Sequence, residues 1–205
     1  MGACRALTPH HLETMVKPVR IYVVGPSSTG KTTLCTAVAK RLGLVRGQFV
    51  TEVARKVIRE LGLSRDNIGL LEMQEAIMRA HLERERENED EAIQLCDRSA
   101  IDPIVHAIFT AKDPGEAEAR KKSLVALPEF QRILPAYRSS VFILLGPVGD
   151  WLVDDGFRHM GDQTQVLAVF RSVLEELGIR YREIGPEMRF LEERTEFVRI
   201  MASNF

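Results

Sequence analysis

Residues 25–33 read Gly-Pro-Ser-Ser-Thr-Gly-Lys-Thr-Thr. Glycine, four residues, glycine, lysine and threonine is a spacing that suits a backbone wrapped closely around phosphate oxygens. Gly25 and Gly30 have no side chain to hold the main chain away from a charged ligand. Pro26, Ser27, Ser28 and Thr29 complete the loop between them. An apolar run precedes the loop and an amphipathic stretch follows it. The loop is therefore expected to end at a helix N-terminus, whose N–H groups carry partial positive charge. Lys31 would reach the terminal phosphates, Thr32 would ligate magnesium through its hydroxyl, and Thr33 closes the nucleotide-binding stretch. A plain glycine-rich turn leaves Lys31 unexplained, because the start of a helix disfavours a cation. The cradle predicts a held nucleotide. By itself it fits a kinase, a hydrolase that gives the phosphate to water, or a switch that only binds.

A phosphate donor site also needs an acid that organises magnesium, and usually a base. Asp97 closes the apolar run 92–96, so it is expected at the carboxyl end of a strand, facing the cradle. There it can hold magnesium through water or accept the proton of an acceptor hydroxyl. Arg98 beside it can bind a phosphate or an acceptor oxygen. The competing structural reading is an Asp that caps the next helix, with a surface Arg. The stretch FVTEVAR repeats the geometry: Glu52 ends a second run and Arg55 lies about one helical turn beyond. Both could bind a polar acceptor, or mark an ordinary helix start. Residues 146–162, GPVGDWLVDDGFRHMGD, hold glycines, acids, an Arg and the chain's one Trp. Long loops after a strand often close over nucleotides. Arg158 can bring positive charge to a migrating phosphoryl group. Trp151 can stack on a flat ring or pack into the core.

Short apolar runs alternating with amphipathic stretches position these residues, and the pattern reads as α/β. Strands are expected at 21–25, 47–52, 92–97, 139–146 and 179–185. Helices are expected at 31–44, where Leu34, Val38 and Leu42 share a face, and at 53–63, ended by Gly62. A long helix over 69–91 has Leu71, Met78 and Leu82 as its inner stripe, and its charged end, ERERENEDE, reads as solvated. Further helices are expected at 99–109, with Pro103 in the first turn, at 163–178, capped by Gly178, and at 187–202. Residues 112–135 form a polar, helical excursion that either helps build an acceptor pocket or is a surface insert. Five strands interleaved with helices imply a mainly parallel sheet covered on both faces. The expected organisation is one domain over 19–205 with a flexible extension, 1–18.

Composition bounds the partners. The chain has 205 residues, 45% of them hydrophobic, and a net charge of -1. That leaves no basic field for nucleic acid. No apolar run approaches the ~20 residues of a bilayer span, and the N-terminus has no signal-peptide core. Cys4, Cys35 and Cys96 have no paired spacing, which points to a reducing compartment such as the cytoplasm and to neither disulfides nor zinc. The start MGACRA resembles an acylation signal at Gly2 and Cys4, but Ala6 stands where Ser or Thr is needed. The expectation is an unmodified tail, and peripheral membrane contact would depend on that lipid.

Taken together, GPSSTGKTTL, TEVAR, CDRSAID, DWLVDDGFRHMGD and LGIRYREI resemble the P-loop domain of the NadR-like family, over about residues 21–200. Its best-known members are bacterial ribosylnicotinamide kinases. The Asp-Arg-Ser triplet is also similar to a segment of deoxynucleoside kinases. The resemblance implies a five-stranded P-loop kinase sheet, ATP with magnesium, and phosphorylation of a nucleoside-like hydroxyl. Lys31 and Thr32 match the family's cradle, Asp97 its strand-end acid and Arg158 its lid arginine. Trp151 falls where riboside kinases place a ring-stacking Trp. Gln163 and Gln165 stand where kinase members often carry a further basic lid residue. At 205 residues the chain has no room for the adenylyltransferase domain of some bacterial members. Eukaryotic members include nucleotide-binding regulators, some tied to membrane lipids.

The expected function is ATP- and magnesium-dependent phosphoryl transfer to a small nucleoside-like acceptor, nicotinamide riboside leading. Glu52, Arg55, Arg98 and Trp151 would hold the acceptor. The alternatives are a nucleotide-binding regulator with a protein or lipid partner, and an NTPase. No Asn-Lys-x-Asp base reader is present, which favours ATP over GTP.

Overall fold

A computed structural model describes residues 18–204 of the chain, apart from 46, 52, 63–68 and 149–162. Five strands among these residues form one sheet: β1 (Val19–Val24), β2 (Phe49–Val50), β3 (Ile93–Asp97), β4 (Val141–Leu145) and β5 (Tyr181–Ile184), in the order β2-β3-β1-β4-β5. Every pairing is parallel. Parallel strands need crossover connections, and here these carry α1 (Lys31–Leu42), α2 (Val53–Glu60), α3 (Leu71–Glu87), α4 (Ile101–Phe109), α5 (Pro114–Val125), α6 (Pro128–Arg138) and α7 (Gln163–Glu176), while α8 (Leu191–Ser203) follows the last strand.

The alternation of side chains along β1 divides the core in two. Tyr22 and Val24, with Cys96, Phe142 and Leu144, face α3, α4, α6 and α7. Ile21 and Val23, with Leu95 and Ile143, face α1 and α8. The inner strand β4 is buried and apolar on both faces because both faces are covered, whereas the edge strand β5 exposes Arg182 and Glu183. The chain leaves β1 for α1 on one face and leaves β3 for α4 on the other. These two strands are neighbours, so a crevice opens between their carboxyl ends.

Several local features depart from the sequence pattern. The excursion is two helices, α5 and α6, and it is no surface insert, because Leu124, Phe130, Leu134 and Tyr137 enter the core. Helix α1 stops at Leu42, where Gly43 takes a left-handed φ of 66° and its N–H returns to the last turn. Leu42 and Leu71 are only half-buried. Strand β2 pairs over two residues rather than six. The acidic end of α3 is not wholly solvated. Helical phase turns Glu85 inward beneath His81, and its carboxylate accepts the Tyr22 hydroxyl at 2.9 Å and the Tyr137 hydroxyl at 2.8 Å. Tyr137 in turn accepts the Ala100 N–H at 3.2 Å, so α6 is tied to the segment after β3.

Candidate functional site

Gly25 ends β1 with φ 138°, and Ser28 and Gly30 are also left-handed, with φ 58° and 83°. Changes of backbone hand of this kind form the concavities that bind anions. A Cβ on Gly25 would lie 2.4 Å from the Leu145 carbonyl oxygen on β4. The loop therefore leaves the sheet where only glycine fits. Gly25→Ala is expected to cost about 3 kcal/mol, a fall in Tm of roughly 10 °C. Thermal melting checks this, and an unchanged Tm would show that the loop departs from β4 in solution.

The loop is inward-facing. Pro26, Ser27 and Thr29 are buried, and the Thr29 hydroxyl donates to the Pro26 carbonyl at 3.0 Å. Lys31 is buried at the first position of α1; its ammonium donates to the Pro26 carbonyl and to the Thr29 hydroxyl at 3.3 Å. Lysine and loop are thus one hydrogen-bonded unit at the helix N-terminus. Thr32 and Thr33 are exposed beside it.

The register Val23↔Asp97 sets the strand-end acid next to the root of the loop. The Thr32 hydroxyl donates to Asp97 Oδ2 at 2.6 Å, and the Thr51 hydroxyl reaches the same oxygen at 3.4 Å. Asp97 is buried, and its Oδ1 has no hydrogen-bond partner among the described residues. An orphaned carboxylate oxygen in a native fold asks for a water or an ion. Thr51 was not expected here; its only signal is its place at the end of β2.

Arg98 adopts φ 83°, its N–H donates to the Val23 carbonyl at 3.0 Å, and its guanidinium pairs with Asp102 at 2.9 Å. Asp102, not Asp97, also accepts the Ser99 N–H, at 3.0 Å. Burial pushes the Asp102 carboxyl above the ordinary range, against the pull of Arg98. His81 on α3 is buried, and neither ring nitrogen has a partner among the described residues. Burial, and then the charge of Arg98, draw its pKa down to about 3, so the ring is neutral. Arg55 stands exposed on α2. Glu52, Trp151 and Arg158 lie outside the described residues. Arg194 on α8, absent from the sequence expectations, reaches the Thr29 carbonyl at 3.5 Å.

A cavity of about 800 Å³ lies away from this crevice, at the amino end of β1 and β3 between α3 and α6. Arg20, Arg79, Arg86 and Arg132 alternate there with Glu83 and Glu129, so it offers no single-sign field for phosphate. The chemistry converges instead at the loop.

Two of the solved structures that share this fold hold NadR protein. NadR protein in complex with NR matches with a TM-score of 0.69 at 21% identity, over 91% of this chain and 51% of that one. NadR protein in complex with NAD and AMP-PNP matches with a TM-score of 0.69 at 16% identity, over 92% of this chain and 50% of that one. The chain thus spans about half the length of either. No curated protein matches it in sequence. The family model described as AAA domain, AAA_28, matches residues 20–194, from β1 into α8, and the chain belongs to that family.

Proposed function

We propose that the chain is a small-molecule kinase, with ATP and magnesium as phosphoryl donor and a nucleoside-like hydroxyl as acceptor. The observation that carries this reading is the 2.6 Å contact of the Thr32 hydroxyl with Asp97, whose second oxygen is buried and orphaned at the mouth of the loop. A carboxylate there equips the loop to hold a magnesium–nucleotide, as phosphoryl transfer requires. Thr32, Thr51 and Asp97 offer only hard oxygen atoms, which fit magnesium held by one carboxylate together with nucleotide phosphates. Among the described residues no group of three or more His, Cys, Asp or Glu could hold a metal alone. Thr32 and Asp97 would hold the ion, which when bound neutralises charge on the phosphates.

The backbone N–H groups of the 25–33 stretch, which Pro26 lacks, and the start of α1 bind the phosphates, and Lys31 meets the terminal ones. Arg98, fixed by Asp102 and next to Asp97 in the chain, is assigned to the acceptor. Glu52, Arg55 and Trp151 are assigned to the acceptor, and Arg158 to the migrating phosphoryl group. Nicotinamide riboside leads as acceptor, on the fold shared with a structure that holds NR and on the ring-stacking capacity of Trp151. The kinase unit runs over 19–205, with 1–18 as an extension. Cys35 and Cys96 are buried free thiols, and no helix among the described residues is long and apolar enough to cross a membrane. The free thiols support a cytoplasmic setting.

Transfer of labelled phosphate from ATP or GTP to a panel of nucleosides and ribosides tests the proposal. A riboside hydroxyl is expected to accept, and Lys31→Ala to slow transfer by about 100- to 1000-fold. Phosphate release without any acceptor would make the chain an NTPase. Tight nucleotide binding with neither outcome would make it a regulator.

A further inference from the structure

Arg194 is the bulkiest fully buried side chain among the described residues, with 1% of its surface exposed. It lies in the first turn of α8, a helix that covers the sheet with Val198 and Ala202. A guanidinium is an expensive choice for that task, because taking a charge out of water costs several kcal/mol unless its donors are met. Here they meet carbonyls from two separate segments. Nε donates to Met188 at 2.6 Å and Nη2 to Gly185 at 3.2 Å, both in the β5–α8 connection. Nη1 donates to Thr29 at 3.5 Å, in the phosphate loop. Only a planar fork of five N–H groups spans such a set.

The Thr29 carbonyl matters because of the peptide it belongs to. A trans peptide is planar, so its C=O and the following N–H point in opposite directions. A carbonyl drawn toward α8 turns the Gly30 N–H the other way. Gly30, with φ 83°, is the loop residue before the helix, and a glycine there gives little resistance to rotation of that peptide. The Thr29 side chain holds its own side of the loop through Pro26 and Lys31; the main chain beyond it is held from α8.

We propose that Arg194 is a positioning residue of the phosphate cradle. It fixes the peptide between Thr29 and Gly30 so that the Gly30 N–H faces the phosphates, and it couples the cradle to residues 185–188. The proposal rests on the nucleotide reading above. Its test compares the full-length wild type with Arg194→Met and with Val198→Ala, a core change in the same helix. Binding of ATP and AMP with magnesium is measured by calorimetry well below each melting temperature. Arg194→Met is expected to weaken ATP binding by at least about tenfold and AMP binding by less than about threefold, because the cradle grips the outer phosphates. Val198→Ala is expected to lower Tm and leave ATP affinity within about twofold. ATP binding by Arg194→Met within about twofold of wild type, or an equal loss for ATP and AMP, would overturn the proposal. A wild type that binds neither ATP nor GTP would instead overturn the nucleotide reading itself. If Arg194→Met does not fold, Arg194→Lys carries the same comparison. It keeps the charge but cannot span three carbonyls, and ATP affinity equal to wild type would sink the idea.

Discussion

Asp97→Asn is expected to lower phosphoryl transfer by about 1000-fold while ATP affinity stays within about tenfold of wild type. The amide is isosteric and keeps an oxygen for the Thr32 hydroxyl, so the crevice retains its shape. What is lost is the carboxylate at the point where the two threonine hydroxyls converge. Phosphates remain gripped by the loop and Lys31, which explains why binding suffers less than turnover. A magnesium titration of the residual rate should show a higher ion requirement, since a neutral amide is a poorer partner for a hard cation. The folded state is not expected to weaken. Removing a buried carboxylate with an orphaned oxygen is neutral, or stabilising by about 1 kcal/mol. A variant that transfers at the wild-type rate would remove Asp97 from the mechanism.

The second large effect is in stability against pH, and it comes from two residues on one face of α3. Burial raises the pKa of Glu85 to about 7, partly offset by the hydroxyls of Tyr137 and Tyr22 and by the charge of Arg20. The native state then keeps a proton that the unfolded chain has released, so stability falls as pH rises from about 4.5 to 7. His81 works in the opposite sense. Its folded pKa is depressed from 6.5 to about 3, so its contribution is complete above 6.5 and is lost as pH falls below that. Between about pH 4.5 and 6.5 the two slopes cancel. Glu85→Gln should unmask the histidine, with stability rising by about 3 kcal/mol across that window. His81→Leu should unmask the glutamate, with stability falling by about 3 kcal/mol over the same range. Asp102, also raised by burial, adds a slope of the Glu85 sign to every variant, so the differences between variants are the readout. Urea unfolding at pH 4.5, 5.5 and 6.5 measures them. Parallel profiles for wild type and both variants would mean that neither group is buried in solution as it is here.

The legible parts of the molecule were those whose chemistry is local. Gly25 to Thr32 are contiguous, and glycine, lysine and threonine each have a reason to stand where they do. Asp97 could be placed because an acid after an apolar run marks a strand end, and a strand end faces the crevice. The remaining contacts join residues far apart in the chain. Thr51 meets Asp97 only because β2 pairs with β3. Arg194 meets Thr29 across 165 positions, and nothing near either one announces it. The acidic run at the end of α3 is solvated on average, but helical phase turns one of its acids, Glu85, inward. The polar pattern of 112–135 fits a surface insert as well as a pocket element; of its few apolar residues Leu124, Phe130 and Leu134 are buried, and Tyr137 of α6 packs its ring against Tyr22 and Phe142.

The strand order has a consequence for how the molecule is made. β1 is the first strand in the chain, yet its neighbours are β3 and β4, joined through pairings such as Val19↔Ile93 and Ile21↔Val141. Loop closures of this length are slow and unrewarded until both ends are in hand. During synthesis the first strand therefore waits for most of the chain to be translated before it is enclosed. The phosphate loop hangs from that strand and rests on Leu145 of β4, so it takes its shape late. Ligand binding at the loop would then report completed folding, and nascent or truncated chains would depend on chaperones rather than on nucleotide to protect an apolar strand that has no partner yet.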